Sequence, residues 1–203
     1  MSTAALRINL MLAASNGVSK AEKWPDTQET TAGEVEACQR GDELAQQRLY
    51  EASHQNVFRL MVRMVGLQDA ADLTQQVFLQ VFRKIGQFSG RARIDTWIYR
   101  VAVNEALQHL RRSKRLRIRM LEREPMDRSS DTYESFDDKE LLERALAMLD
   151  PELRSAFLLR EVEGLSYREI AEALEIPEGT VGSRLNRARR ELKQHLTELG
   201  WEP

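Results

Sequence analysis

The side chains best suited to chemistry in this chain are basic and amide groups set among aromatic rings, and they fall in two places. Near the C-terminal end, Thr180, Ser183, Arg184, Asn186, Arg187 and Arg190 share a short segment with Arg189 and Lys193, and the acids close by are Glu178 and Glu191. Arginine and asparagine read guanine and adenine edges bidentately in the major groove, while serine and surplus arginine suit phosphates. Upstream, Phe88, Arg91 and Arg93 lie in a glycine-containing basic loop that ends at Asp95. Trp97, Tyr99, Arg100 and Asn104 follow, and then a strongly basic run from Arg111 and Arg112 to Arg119. Cations interleaved with flat rings are what a groove for single-stranded nucleic acid requires, the first for phosphates and the second for unstacked bases. Trp97 also suits a core position, since tryptophan is highly buried on average.

Other chemistries find little support. Cys38 is the single cysteine, which leaves no intramolecular disulfide and no thiolate cluster. His54, His109 and His195 are far apart and form no ligand-spaced pair. There is no glycine-rich phosphate loop and no nucleophile placed with a base, so neither an enzyme nor a cofactor or metal is expected. The formal net charge of −2 does not by itself suggest a nucleic-acid binder. The basic character is therefore a matter of distribution along the chain.

The elements that must position these residues are helical. Hydrophobic residues make up 42% of 203 positions and charged ones 31%, with few aromatics, 10 glycines and 5 prolines, which favours an all-α globular protein. Residues 1–32 show no sustained period and read as a flexible extension. Their apolar stretch from Leu6 to Ala14 is interrupted by Arg7 and Asn9 and lacks the flanks of a secretory signal. No uninterrupted apolar run reaches the ~20 residues of a membrane span, so a soluble, cytoplasmic protein is expected.

Helical periodicity runs over residues 33–118, broken at Gly41-Asp42 and between Gly86 and Asp95. An acidic, proline-containing linker is expected over 119–137 and a second helical unit over 138–199. In the first unit Ala70, Leu73, Val77, Phe78, Val81, Phe82 and Ile85 form one face of a helix, with Asp72, Gln75, Gln76, Leu79 and Arg83 outward. A leucine among acid and amide side chains suits docking against another protein's helix, although single exposed leucines are ordinary.

In the second unit Asp150-Pro151 opens a helix, Gly164 closes it, and Ser166 with Glu169 reads as a capping box. That capped helix stops at Ile176-Pro177. The next carries Val181, Leu185, Ala188, Leu192 and Leu196 as a single apolar stripe opposite its basic face. A capped helix, a tight turn and a basic second helix make a helix-turn-helix whose second helix reads DNA.

Over about residues 34–197 the chain resembles the extracytoplasmic-function sigma factors of bacterial RNA polymerase, in the sigma-70 family. Asp72-Leu-Thr-Gln-Gln-Val-Phe-Leu79 is similar to that family's core-binding signature. Thr96-Trp-Ile-Tyr-Arg-Val-Ala-Val-Asn104 resembles its segment following the loop, and Gly164 to Ala171 with Gly179 to Leu185 resembles its DNA-binding region. The resemblance implies two small helical domains, region 2 and region 4, joined by a flexible linker. It implies that Asp72, Gln75, Gln76 and Leu79 meet the β′ clamp coiled coil of core polymerase, with the β flap as a second contact.

On the same resemblance, Phe88, Arg91, Arg93, Trp97, Arg100, Asn104, Arg111 and Arg112 serve the −10 element. There the loop and Asn104 would hold a base flipped from the non-template strand, at a cost of about a few kcal/mol in stacking and pairing. Thr180, Ser183, Arg184, Asn186, Arg187 and Arg190 serve the −35 element. The resemblance also implies a role in stress response under an anti-sigma factor, which would hold the protein at the inner membrane if it is itself membrane-bound. Two positions depart from the family pattern. Gln76 stands where glutamate is usual, and Gly182 where many members carry a basic or bulky residue. The competing reading is a helix-turn-helix repressor or activator that acts without polymerase, and co-purification with core polymerase separates the two.

Overall fold

The computed structural model describes the backbone of residues 32–121 and 138–201, and the side chains of 32–115 and 140–201. The expected N-terminal extension lies outside the described residues apart from Ala32. So does the expected linker apart from residues 119–121, which continue a helix. Every regular element among the described residues is helical.

The first unit comprises α1 (Ala32–Gln39), α2 (Glu43–Val65), α3 (Leu67–Lys84), a 3-10 turn (Ile85–Gln87) and α4 (Ile94–Leu121). Asp42 starts α2 by accepting a 2.9 Å hydrogen bond from the Ala45 amide, satisfying one of the free donors of the first turn. Gly66, at φ 90°, separates α2 from α3 with a backbone turn that a side-chain-bearing residue rarely adopts. Helices α2, α3 and α4 then pack as a bundle. Its interior takes Leu49, Val57, Leu60, Met61 and Met64 from α2, Leu73, Val77, Phe78 and Val81 from α3, and Ile98, Tyr99, Ala102 and Ala106 from α4.

The second unit comprises α5 (Asp138–Met148), α6 (Pro151–Glu161), α7 (Tyr167–Leu174) and α8 (Glu178–Glu198). Its punctuation follows the sequence. Asp150 caps α6 with Pro151 in the first turn, Gly164 is left-handed at φ 70°, and both halves of the Ser166–Glu169 capping box form. The stripe Val181, Leu185, Ala188, Leu192 and Leu196 is fully buried.

The two units do not stand apart. Leu153 to Leu159 are all buried, a helix enclosed on every side, because α6 lies between α8 of its own unit and α2 and α4 of the other. The buried side chains of both units form one continuous cluster. Arg154, only 7% exposed, crosses the boundary. Its guanidinium donates to the Met64 carbonyl at the end of α2 (2.8 Å) and to the Leu149 (3.0 Å) and Ala147 carbonyls at the end of α5. One cation thereby answers unsatisfied carbonyls of two helix C-termini, where a positive charge also complements the helix dipoles.

Candidate nucleic-acid and partner interface

Three surfaces hold the residues singled out from the sequence. On α3 the expected division of faces is present. Ala70, Leu73, Val77, Phe78, Val81 and the following Ile85 are buried and Phe82 is half-buried, whereas Asp72, Gln75, Gln76, Leu79 and Arg83 are exposed. Leu79 is 70% exposed, an apolar side chain in water within a polar stripe. Residues 72, 75, 76 and 79 recur at the spacing of one helix face, so they present a single surface.

The second surface is the loop before α4 and the outer stripe of α4. Gln39 of α1 anchors the loop by donating to the carbonyls of Ile85 (3.1 Å) and Phe88 (2.9 Å). Phe88 and Trp97 are both half-buried and pack with ring centroids 5.6 Å apart, so Trp97 is neither a core residue nor a free platform. Arg91 and Arg93 are exposed, and Arg93 pairs with Asp95 at 3.2 Å. Burial pushes the Asp95 carboxyl above its ordinary range, against the opposing effect of Arg93. Arg100, Asn104, Gln108 and Arg111 form one stripe along α4, and Arg112 lies beside it, exposed.

The third surface is the outer face of α8. Ser183, Asn186, Arg187 and Arg190 are exposed, and Thr180 is half-buried. Arg187 pairs with Glu191 one turn on (2.7 Å), and the Ser183 hydroxyl donates to the Thr180 carbonyl (2.9 Å). Arg184 is different. It adjoins Leu185 and precedes Ala188 by one turn, so it flanks the buried stripe and turns towards α6, where it meets Glu152 at 2.6 Å. Gly182 packs beside Tyr167 of α7, and a Cβ there would meet the ring at an ordinary 3.7 Å.

The second and third surfaces meet. Asn104, Leu107, Gln108 and Arg111 of α4 line a cleft of about 220 Å³ together with Glu152, Leu174, Ile176 and Arg184 of the second unit. Glu152 takes both Arg184 and, at 3.6 Å, Arg111, while Glu175 pairs with Arg100. Deeper in the boundary the Tyr99 hydroxyl donates to Glu163, whose carboxyl burial pushes above the usual range despite that bond and the nearby charges of Arg59 and Arg63. The sequence gives no local sign of these acids. Each lies tens of residues from its partner, and no periodicity links them.

Comparison with known proteins settles the family. A model of sigma-70 region 2 matches residues 49–116, and one of sigma-70 region 4 matches residues 139–192. The chain is 36% identical over 194 residues to the RNA polymerase sigma-H factor of Pseudomonas aeruginosa, covering 85% of this chain and 97% of that one. It is 36% identical over 178 residues to the ECF RNA polymerase sigma-E factor of Haemophilus influenzae, covering 81% and 94%. The chain belongs to the extracytoplasmic-function sigma factors.

A sigma factor is an initiation factor of transcription and not an enzyme. The fold of this sigma factor is also that of the Bartonella quintana sigma factor RpoE solved with the anti-sigma factor NepR (TM-score 0.61, 21% identity, 74% of this chain and 96% of that one). It resembles as well CnrH solved with the cytosolic domain of CnrY (TM-score 0.58, 21% identity, 81% and 96%). Among the described residues no helix is long and apolar enough to cross a membrane.

Proposed function

We propose that this sigma factor docks on core RNA polymerase through the exposed face of α3, with Asp72, Gln75, Gln76 and Leu79 against the β′ clamp coiled coil. The second unit then reaches the β flap. The observation that carries this assignment is Leu79, held in water at the centre of a polar stripe on a helix whose other face is wholly committed to the core. Burial of such a side chain against a partner helix contributes about 1.5–3 kcal/mol. Leu79→Asp should abolish co-purification with core polymerase while leaving the helical circular dichroism of the free factor unchanged. Retention of the variant on polymerase would overturn the assignment.

On the DNA side, the loop residues Phe88, Arg91 and Arg93 serve the −10 element with Trp97, Arg100, Asn104, Arg111 and Arg112 of α4. Phe88 and Trp97 supply a half-buried, tilted aromatic pair beside a basic surface, against which an unstacked base can pack. The α8 residues Thr180, Ser183, Arg184, Asn186, Arg187 and Arg190 serve the −35 element. Readout there rests on long side chains that rise past Gly182, which offers nothing of its own to a base edge. One fold neighbour, RpoE of Bartonella quintana, was solved with an anti-sigma factor, and a partner of that class fits this chain. Attachment to the inner membrane would then come from the partner. Residues 1–32 form an extension to the first unit, and 119–137 the connection between the two.

A further inference from the structure

The cleft between the units joins residues that cannot act on promoter DNA in this arrangement. Positions named −10 and −35 are about 25 base pairs apart, on the order of 85 Å at ~3.4 Å per base pair. Yet Arg111 of the first unit and Arg184 of the second both reach one carboxylate, at 3.6 and 2.6 Å. The units must separate before both elements can be held.

What holds them is chemically specific. Glu152 stands in the first turn of α6 and presents one oxygen to Arg111 and the other to Arg184. Glu175 ends α7 in the left-handed conformation (φ 54°), a place where glycine or asparagine is the ordinary occupant and a glutamate backbone is strained. Its carboxylate pairs with Arg100. The two acids thus engage three of the arginines assigned to DNA, and in each case an anionic oxygen takes the place of a phosphate oxygen. Around these pairs, Leu107 lines the same cleft as Leu174 and Ile176 of the helix-turn-helix, and the buried Arg154 bond to Met64 also crosses the boundary.

We propose that Glu152 and Glu175 form a carboxylate latch that keeps the free factor closed and unable to bind DNA, with promoter phosphates and the two glutamates competing for the same guanidinium groups. The proposal rests on the assignment of Arg100, Arg111 and Arg184 to DNA. Exposed ion pairs are individually weak, so the latch is one that polymerase and DNA together can open rather than a permanent lock. It also couples the units. Glu152 is the shared group, joining Arg111 of the first unit to Arg184 of its own through one carboxylate.

The test uses the full chain and the double variant Glu152→Gln, Glu175→Gln, which keeps side-chain shape while removing both charges and one acceptor oxygen from each. The control Glu172→Gln, Glu198→Gln removes the same charge from exposed positions that pair within their own helices. Small-angle scattering reports compaction. Fluorescence anisotropy with a labelled 40-base-pair mixed-sequence duplex at low salt reports DNA binding without polymerase. The latch variant should expand and bind the duplex about fivefold or more tightly than wild type, with the control changing neither by as much. Equal behaviour of latch variant and control overturns the proposal, and so does expansion without a gain in DNA binding. In parallel, transcription with core polymerase is measured on the wild-type protein. Failure there sinks the sigma assignment, whereas the scattering comparison still decides whether the latch exists.

Discussion

Arg154 and Asn104 show how differently single residues contribute. Arg154 answers carbonyls at the ends of α2 and α5, and its removal leaves buried acceptors without donors. Arg154→Met keeps most of the stem but loses those bonds, and should lower the unfolding free energy by about 2–3 kcal/mol in urea titration. Asn104 contributes little of that kind, since it is exposed at the rim of the cleft. Asn104→Ala should leave stability and polymerase binding near wild type while slowing promoter opening, read by permanganate reactivity of unpaired thymines. Equal loss of polymerase binding and opening would remove it from the −10 assignment. Gln76→Glu restores a negative charge on the exposed face of α3 and should tighten core binding by about 0.3–1 kcal/mol in a titration at low salt.

At the scale of elements, Gly182 occupies an interior turn of α8 with only ordinary contact to Tyr167. Gly182→Ala should therefore raise thermal stability by about 0.5–1 kcal/mol, since alanine removes the entropic cost of glycine in a helix and the added methyl meets open contact at 3.7 Å. A fall in melting temperature would show that α8 needs the close approach. The elements were legible in the sequence wherever local physics decides them. The α3 face, the α8 stripe, the Asp150-Pro151 start and the Ser166–Glu169 box each depend on residues within a few turns of one another.

Elsewhere local physics gives no answer. The break at Gly66 is obscured because helix-forming residues flank a lone glycine, and α4 begins at Ile94, two residues before the patterned segment at Thr96. The left-handed Glu175 is hidden as well, since its residue type does not favour that conformation. Trp97 could be read either as core or as a base platform. It is half-buried because Phe88, fixed through Gln39, covers one side of it.

For the whole molecule, the residues proposed for DNA stand out in the sequence only by type and spacing, and their coming together in one cleft does not show there. Long-range pairs such as Arg111 with Glu152 or Tyr99 with Glu163 arise from how the units pack. Glu163 gives that packing a pH dependence. Burial raises its carboxyl above the value it has in water, with Tyr99 of α4 and Arg59 and Arg63 of α2 opposing the shift. Glu143 also acts on Arg63 from α5. The closed form therefore holds this proton more tightly than an opened form in which Glu163 meets solvent. Between the ordinary glutamate value and the raised one, closure strengthens as pH falls and weakens as pH rises. Scattering across that interval should show expansion towards higher pH, and Glu163→Gln should flatten the curve.

Whether this sigma factor confers promoter specificity on polymerase is decided by transcription in vitro with core RNA polymerase on a library of genomic fragments. Transcripts should begin at a small set of defined sites, absent with core enzyme alone and lost with Leu79→Asp. No transcription above core enzyme, together with tight binding of the free protein to duplex operator DNA, would contradict it.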